Sequence, residues 1–340
     1  MAKHLVTGGS GFLGNLIIKR LLDAGHDVIS LDIWEDPQAS RDFEFRKIDV
    51  RDYNAVYESM RGVSMVHHNA ALVPLTKSGK DFWSVNVEGS KSVALAALNS
   101  EVETFIHMSS SAIFGAPKVL PITKTTATAP IEIYGRGKLA GEVAVREILE
   151  KSTVNSIAIR PRTIIGQERL GIFKILFDWI AEGRDIYTIG DGKNLFQFVH
   201  AHDLMDAYMI IAKQEKSGAY NVGTNVFGTL NEALENVILH AGSKSRVKHL
   251  PRGISIATLQ TLDKLKLSPL APWHYLTYDK PFYFDVTELI EMGWNPKYSN
   301  DQMLAEAYDS VRNMKSTTTE FSAHRKSVRE GVLGLLRRIS

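Results

Sequence analysis

Tyr134 and Lys138 stand four residues apart in a stretch, 134–151, whose pattern predicts a helix. That spacing puts both side chains on one helical face. A tyrosine hydroxyl ionises near pH ~10, so it serves as a base at neutral pH only where something stabilises the phenolate. An ammonium group one turn away does that. Gly135 and Gly137 each weaken a helix by about 1 kcal/mol relative to Ala, so the pair alone reads equally as a surface contact or a loop. The run Phe105-Ile106-His107-Met108 predicts a strand, and it ends in Ser109, Ser110 and Ser111. A serine hydroxyl at a strand end is placed to bond the oxygen of a reacting alcohol or carbonyl, beside the tyrosine. Serine, tyrosine and lysine together suit proton transfer at a carbon–oxygen bond.

A second constellation opens the chain. His4-Leu5-Val6 leads into Thr7-Gly8-Gly9-Ser10-Gly11, and a helical pattern follows from Phe12. Strand, glycine turn and helix in that order cradle a dinucleotide pyrophosphate. Gly8 permits the tight turn, Gly11 the approach of backbone to phosphate, and Gly14 the close packing of helix on strand. The pyrophosphate then rests on the unpaired N–H groups and positive dipole end of the helix. Asp32 ends the next predicted strand, 27–32, about 20 residues after the loop, where an acid accepts from ribose hydroxyls and repels a 2′-phosphate. This predicts NAD in preference to NADP. Val66-His67-His68 ends in Asn69-Ala70-Ala71, small residues that let backbone lie against the cofactor.

These groups need a frame. Predicted strands at 3–7, 27–32, 44–48, 63–69, 104–109 and 154–160 alternate with helical patterns at 12–24, 52–60, 80–100 and 134–151. Such alternation means a parallel sheet covered on both faces. Further helices are expected at 170–182, 203–214, 229–241, 254–264 and 301–314. The 340 residues suffice for one large domain or two. We divide them into a dinucleotide domain, 1–165, to which later segments return, a smaller lobe, 166–315, and a linker with a basic tail, 316–340. Forty basic residues against 38 acidic give a net charge of +2, which points to no nucleic-acid surface. There is no cysteine, which excludes disulfides, cysteine nucleophiles and thiolate metal sites. The eleven histidines show no metal-ligand spacing on a helix, and His67 and His68 fall on opposite faces of one strand, so no metal site is argued. An apolar strand begins at once after Met1, and no apolar run approaches a bilayer span of ~20 residues, so a cytoplasmic enzyme is expected.

In order along the chain stand TGGSGFLG, Asp32, Asp49-Val50-Arg51-Asp52, HHNAA, Asn86-Val87-Glu88-Gly89, MSSSAIFG, Tyr134 with Lys138, RPRTIIG from Arg160, Gly190-Asp191-Gly192 and Phe198-Val199-His200-Ala201-His202-Asp203. From Lys3 to about Asp309 the chain resembles the extended short-chain dehydrogenase/reductase family. That group holds nucleotide-sugar epimerases, dehydratases and 3β-hydroxysteroid dehydrogenases. The resemblance implies a Rossmann-type doubly wound sheet with an interleaved C-terminal substrate lobe, and NAD as cofactor. It implies cofactor contacts from Gly8, Gly11, Phe12, Leu13, Gly14, Asp32, Asp49, Val50, Asn69, Ala70, Ala71, Asn86, Tyr134, Lys138 and Pro161. Asp49 and Val50 would meet the adenine. Tyr134 would be the acid/base, Lys138 would lower its pKa and hold the ribose, and Ser110 would bind the substrate oxygen.

Departures from the family narrow the chemistry. Sugar dehydratases carry an Asp-Glu pair where this chain has Ser111 and Ala112, and neither does acid/base work at neutral pH. Dehydration is therefore disfavoured. Nucleotide-sugar enzymes follow the sixth strand with Asn, here Thr163, and grip the diphosphate with an Arg whose place falls on Phe196. Lys193 offers a point charge nearby and not a fork; Arg162 or Arg169 are other candidates for the diphosphate. Ser111, Thr163, Lys193 and Phe196 are thus the expected substrate contacts. The first reading is a nucleotide-sugar 4-epimerase or 4-ketoreductase. The alternative is a hydroxysteroid- or isoprenoid-type alcohol dehydrogenase, which Phe196 favours. Apolar residues at 253–278, among them Ile254, Leu259, Leu262, Leu265, Trp273, Tyr275 and Tyr278, read as core or as a lipid pocket. The family's usual homodimer would use helices 81–99 and 138–151, with Val85, Val93, Ala97, Val143 and Ile148 as apolar positions. In the tail, Val328, Val332, Leu335 and Ile339 share one helical face beside Arg325, Lys326, Arg329, Arg337 and Arg338. This is a basic amphipathic segment that would dock on its own protein or lie on an anionic membrane.

The place of Asp32 generates a test. Wild type should prefer NAD over NADP by at least about tenfold, or roughly 1.4 kcal/mol, and Asp32→Ala should shrink that ratio. Equal affinities in titrations of the wild type would refute the role.

Overall fold

The computed structural model describes residues 2–37, 42–73, 81–167, 170–214, 216–265, 267–268 and 270–313. Arg41, Arg169, the linker from 316 and the basic tail lie outside them. Among the described residues eleven strands are formed: β1 (Lys3–Thr7), β2 (Asp27–Asp32), β3 (Glu44–Lys47), β4 (Met65–His68), β5 (Thr104–Met108), β6 (Asn155–Pro161), β7 (Thr163–Ile165), β8 (Ile186–Ile189), β9 (Phe198–His200), β10 (Gly218–Val222) and β11 (Val247–Leu250). Seven make one parallel sheet in the order β10-β6-β5-β4-β1-β2-β3. The apolar runs dictate this. Every residue of β5 is buried, as expected of a strand with helices on both faces. The order reverses between β1 and β4, and the crevice at such a switch point, beyond the carboxyl ends of the strands, is where ligands bind.

The second half of the chain builds two smaller parallel pairs, β7 with β9 and β8 with β11. It also returns twice to the large sheet. The helix Ala201–Ile211 lies beside the first helix, Phe12–Asp23, joined to it by the ion pair Arg20–Asp206 at 2.7 Å, and β10 then adds the seventh strand. Trp273, Phe282, Phe284 and Trp294 share a core with Ile17, Leu21 and Ala207. A separate core packs the helices Phe173–Ala181, Leu230–His240 and Asn300–Asn313.

One expected helix has a different form. Residues 80–100 read as continuous, but among the described residues there is a short turn, Asp81–Trp83, a π-helical segment, Ser84–Gly89, and an α-helix, Ser90–Leu98. The Ser90 hydroxyl donates to the Asn86 carbonyl at 2.8 Å across the join. Spacing of apolar residues does not distinguish an extra residue per turn, because the π segment is only six residues long. Of the apolar positions there, Val93 and Ala97 are core of this chain, whereas Trp83, Leu95 and Leu98 are exposed.

Four histidines are buried in the three central strands: His4, His67, His68 and His107. His67 Nδ1 is 2.7 Å from the Tyr208 hydroxyl and its Nε2 is 2.8 Å from His4 Nδ1. His68 bridges Thr7 Oγ1 and Ser90 Oγ. Neither ring nitrogen of His107 has a partner. Burial lowers all four, His4 to about 4, His68 to about 3, and the other two well below 6.5. Below pH 6.5 the unfolded chain therefore binds protons that the native state refuses. Stability must then rise with pH across this window and fall as pH drops from 6.5 toward 4, with each histidine adding up to about 1.4 kcal/mol per pH unit. A series of thermal melts should show a steep acid decline that His107→Leu makes shallower. A melting temperature flat across that window would mean the native histidines are already charged.

Candidate active site

The glycine turn is fixed by contact with β4. Gly8 has φ +69°, and a Cβ there would lie 2.8 Å from the Ala70 backbone; a Cβ on Gly14 would lie 2.1 Å from the Gly8 carbonyl. Only hydrogen fits at either place. Thr7 Oγ1 accepts from the N–H groups of Asn69 and Ala70 at 3.1 and 3.2 Å, which pulls the end of β4 against the turn. The helix that follows begins at Gly11 with no side-chain cap, leaving first-turn N–H groups for an anion. Asp32 accepts from the Ser10 N–H at 3.1 Å and the Trp34 N–H at 3.3 Å. Burial raises its pKa, and these backbone donors oppose the rise. An uncapped helix start, a cradle that any Cβ would fill and an acid at the end of β2 fit a dinucleotide with free ribose hydroxyls.

Beyond the carboxyl ends of β4, β5 and β6 lies a cleft of about 180 Å³. Leu13, Asn69, Ala71, Ser110, Ser111, Tyr134, Lys138, Pro161 and Thr163 all line it. Tyr134 and Lys138 come from the helix Ile133–Leu149. The glycines do not break that helix, because Glu132 caps it: its carboxylate accepts from the N–H groups of Tyr134 and Gly135 at 2.7 and 2.6 Å. The Phe82 ring meets the Tyr134 ring edge-on at 6.4 Å. Lys138 is buried, and its ammonium donates to the Met108 carbonyl at 2.8 Å. Next along, the Ser109 hydroxyl donates to Glu142, which forms a buried ion pair with Arg160. Ser110 follows, half-exposed, its Oγ accepting from the Ala112 N–H at 3.1 Å. Three consecutive residues of β5 and its end thus serve the lysine, the glutamate and the cleft.

Other expected contacts fall elsewhere. Phe196 does not reach the cleft. It is buried in the lobe core, packed at a tilt against Phe198 and Tyr278 and beneath the Arg162 guanidinium at 4.8 Å. Lys193 is exposed on a turn, its N–H bonded to Asp191, and does not line the cleft either. Phe196 is drawn into the lobe by its pairing with Phe282, its N–H donating to the Gly228 carbonyl at 3.0 Å. Arg162, weighed for a diphosphate, does line the cleft: it is buried between Phe282 and Phe196 and donates to Ser111 Oγ at 3.2 Å and to the Gln197 carbonyl at 2.9 Å, its Nη2 has no partner, and burial lowers its pKa to about 9. The Asn86 amide is spent on the backbone of Leu72, at 2.8 and 3.1 Å, so it braces the loop after β4. Asp49 is held by Arg51 and its pKa is lowered by that contact, while Val50 is buried. Phe12 faces a neighbouring cavity with Asn15 and His200.

Sequence reasoning passed over Glu132, Glu142 and His274. Glu132 had a legible signal, an acid two residues before the tyrosine at a helix start. Glu142, one turn past Lys138, had one only once its neighbour in β6, Arg160, was known. His274, which lines the cleft, had none, since it arrives from the far end of the chain.

Residues 4–223 match the model of the NAD dependent epimerase/dehydratase family. The chain is 39% identical to the uncharacterized protein y4nG of Sinorhizobium fredii over 98% of its length and 85% of the relative's. It is 26% identical to UDP-glucose 4-epimerase of Mycolicibacterium smegmatis, covering 80% and 93% of the two chains. It is 28% identical to the decarboxylating sterol-4-alpha-carboxylate 3-dehydrogenase of Mus musculus, covering 79% and 77%. Among solved structures, UDP-glucose 4-epimerase of Thermotoga maritima superposes with a TM-score of 0.75 at 20% identity, covering 91% and 98%. The chain belongs to the NAD-dependent epimerase/dehydratase family, within the extended short-chain dehydrogenases, and is an NAD-dependent enzyme.

Proposed function

We propose that the enzyme oxidises and reduces a secondary alcohol carbon of its substrate, as a nucleotide-sugar 4-epimerase or 4-ketoreductase does. The observation that carries this reading is the convergence of Ser110, Tyr134 and Lys138 on one cleft beside the glycine cradle. Bound NAD supplies a hydride acceptor and donor; Gly8, Gly11, Gly14 and Asp32 would hold it, with Asn69, Ala70, Ala71 and Pro161 at its walls. Tyr134 takes the hydroxyl proton as the ketone forms and returns it on reduction. Lys138, fixed by Met108, stabilises the phenolate, and His68 and His107, kept neutral by burial, add no charge beside it. The Ser110 hydroxyl donates to the reacting oxygen. Ser111 and Ala112 provide no acid or base for dehydration. Relatives named for UDP-glucose support a nucleotide-sugar substrate. A hydroxysteroid- or isoprenoid-type alcohol is the second reading, favoured by Phe196, which leaves no arginine at the usual diphosphate position.

The family's homodimer is proposed through the stretches 81–99 and 138–151, supported by exposed Trp83, Leu95 and Leu98 on the first of them. Light scattering at micromolar concentration should give twice the monomer mass, and a monomeric mass would count against it. For the chemistry, Tyr134→Phe should leave NAD binding intact and abolish turnover, and Lys138→Met should weaken both. Ser110→Ala should cost about 10²-fold in kcat. Steady-state kinetics with UDP-hexoses and with hydroxysteroids check these. More than a tenth of the rate surviving in Tyr134→Phe would overturn the assignment, and a larger loss from Ser111→Ala than from Ser110→Ala would move the oxygen contact by one residue.

A further inference from the structure

A groove of about 600 Å³ lies beside the helix Phe12–Asp23, apart from the catalytic cleft. That helix supplies Phe12, Leu16 and Leu22 to it, and Phe43, half-buried, adds a ring just before β3. Carboxylates from three elements stand among these apolar groups: Asp23 ends the helix, Asp36 and Asp42 come from between β2 and β3, and Glu306 from the helix Asn300–Asn313. Among the described residues lining the groove, Lys19 is the one Lys or Arg. Burial lowers the pKa of His200, which keeps it uncharged at neutral pH. The Asn15 amide donates to Asp36 at 3.2 Å, which ties the helix to the segment that follows Asp32. The groove is thus apolar and acidic together, and it flanks the cofactor cradle.

The course of the chain brings a matching segment here. Glu306 accepts from the Gln167 amide at 2.9 Å, and the Ser310 hydroxyl donates to the Gln167 carbonyl at 3.1 Å, so the last described helix passes the groove. It ends at Asn313, seven residues and about 10 Å beyond Glu306. Residues 314–323 give up to about 33 Å of chain, enough for the segment 324–340 to turn back. That segment carries five Lys and Arg and one Glu. Wound as a helix at about 100° per residue, it puts Val328, Val332, Leu335 and Ile339 in one stripe, with Arg329 and Arg338 on its two sides. The mostly apolar cavity in the lobe is a poorer match. Among the described residues lining it none is acidic, and the adjoining helix Arg252–Lys264 begins and ends with a cation.

We propose that residues 324–340 dock in this groove of the same chain as a basic amphipathic helix. The aliphatic stripe meets Leu16, Leu22 and Phe43, and the arginines and Lys326 meet the carboxylates. Exposed ion pairs are individually weak, so buried apolar area supplies most of the affinity and charge fixes the place. Modest contacts suffice, because the connecting residues hold the segment at millimolar effective concentration. A docked segment braces the start of the helix Phe12–Asp23 against the segment after β2. Both belong to the cradle, so the brace slows the departure of NAD.

The test uses full-length protein. Without NAD, amide hydrogen exchange over 328–339 should be at least about tenfold slower than in a synthetic peptide of residues 324–340. Zero-length carbodiimide coupling should join Lys326 to Asp23, Asp42 or Glu306. Asp23→Lys with Asp42→Lys should abolish the protection and speed NAD release several-fold. Arg325→Glu with Lys326→Glu and Arg329→Glu should do the same. Combining both sets should restore protection and slow release, which misfolding of either variant would not produce. Absence of protection in the wild type, or no restoration in the combination, would overturn the proposal. So would protection that appears only with phosphatidylserine vesicles, since the segment would then belong on an anionic membrane. Cross-links found only between copies, in a mixture of isotope-labelled and unlabelled protein, would likewise overturn it. NAD release that stays unchanged when protection is lost would refute the brace.

Discussion

A buried ammonium group must be given oxygen atoms or it will not stay charged. Lys138 is buried, and it takes the last carbonyl of β5, that of Met108. Much of the site follows from that bond. It sets the helix Ile133–Leu149 against the end of the sheet, so Tyr134, one turn earlier, and Ser110, two residues beyond Met108, open onto the same cleft. Glu142 repeats the device one turn later. Its carboxylate takes the Ser109 hydroxyl and the Arg160 guanidinium, so β5, β6 and the helix are tied at one level. Removing one partner of such a buried pair costs more than removing both, which makes the arrangement resistant to drift. Glu132 completes it by satisfying the first N–H groups of a helix that its two glycines would otherwise weaken.

The cofactor side depends on close approach of a different kind. Backbone packs against backbone at Gly8 and Gly14 with no room for a methyl group, and Thr7 draws in the loop after β4. Alcohol chemistry needs both halves, and the switch in strand order between β1 and β4 places them side by side. Near the cleft the second half of the chain adds aromatic and aliphatic side chains together with Thr163, His274 and Arg162, whose guanidinium lies between phenyl rings with its Nη2 unpartnered.

The sequence by itself determined the parallel sheet, the glycine cradle, the acid at the end of β2 and the serine–tyrosine–lysine set. Each is carried by a local signal: an apolar run of strand length, a glycine spacing, a pair four residues apart on a helix. The first six strands and most helices stand within a few residues of where periodicity put them, since segments long enough to be buried on two faces leave an unmistakable pattern. The π-helical segment left none, and the short strands β7 to β11 left little, because three to five residues of mixed polarity carry too few periods to count. Tertiary structure alone decided where single side chains point. Phe196 and Lys193 lie close in sequence to the turn that should face substrate, yet one is core and the other faces solvent, because Phe196 pairs with Phe282 from a distant segment while Lys193 bonds only within its own turn, to Asp191. Likewise the apolar residues of 253–278 divided: Trp273 went to the core, Leu265 to the surface, and Ile254, Leu259, Leu262 and Tyr275 to the walls of a mostly apolar cavity in the lobe. Composition made them apolar, but which of them met a neighbour and which met a cavity depended on helices and strands brought together from more than eighty positions apart, such as Leu176 and Leu259, and no local pattern encodes a distance of that kind.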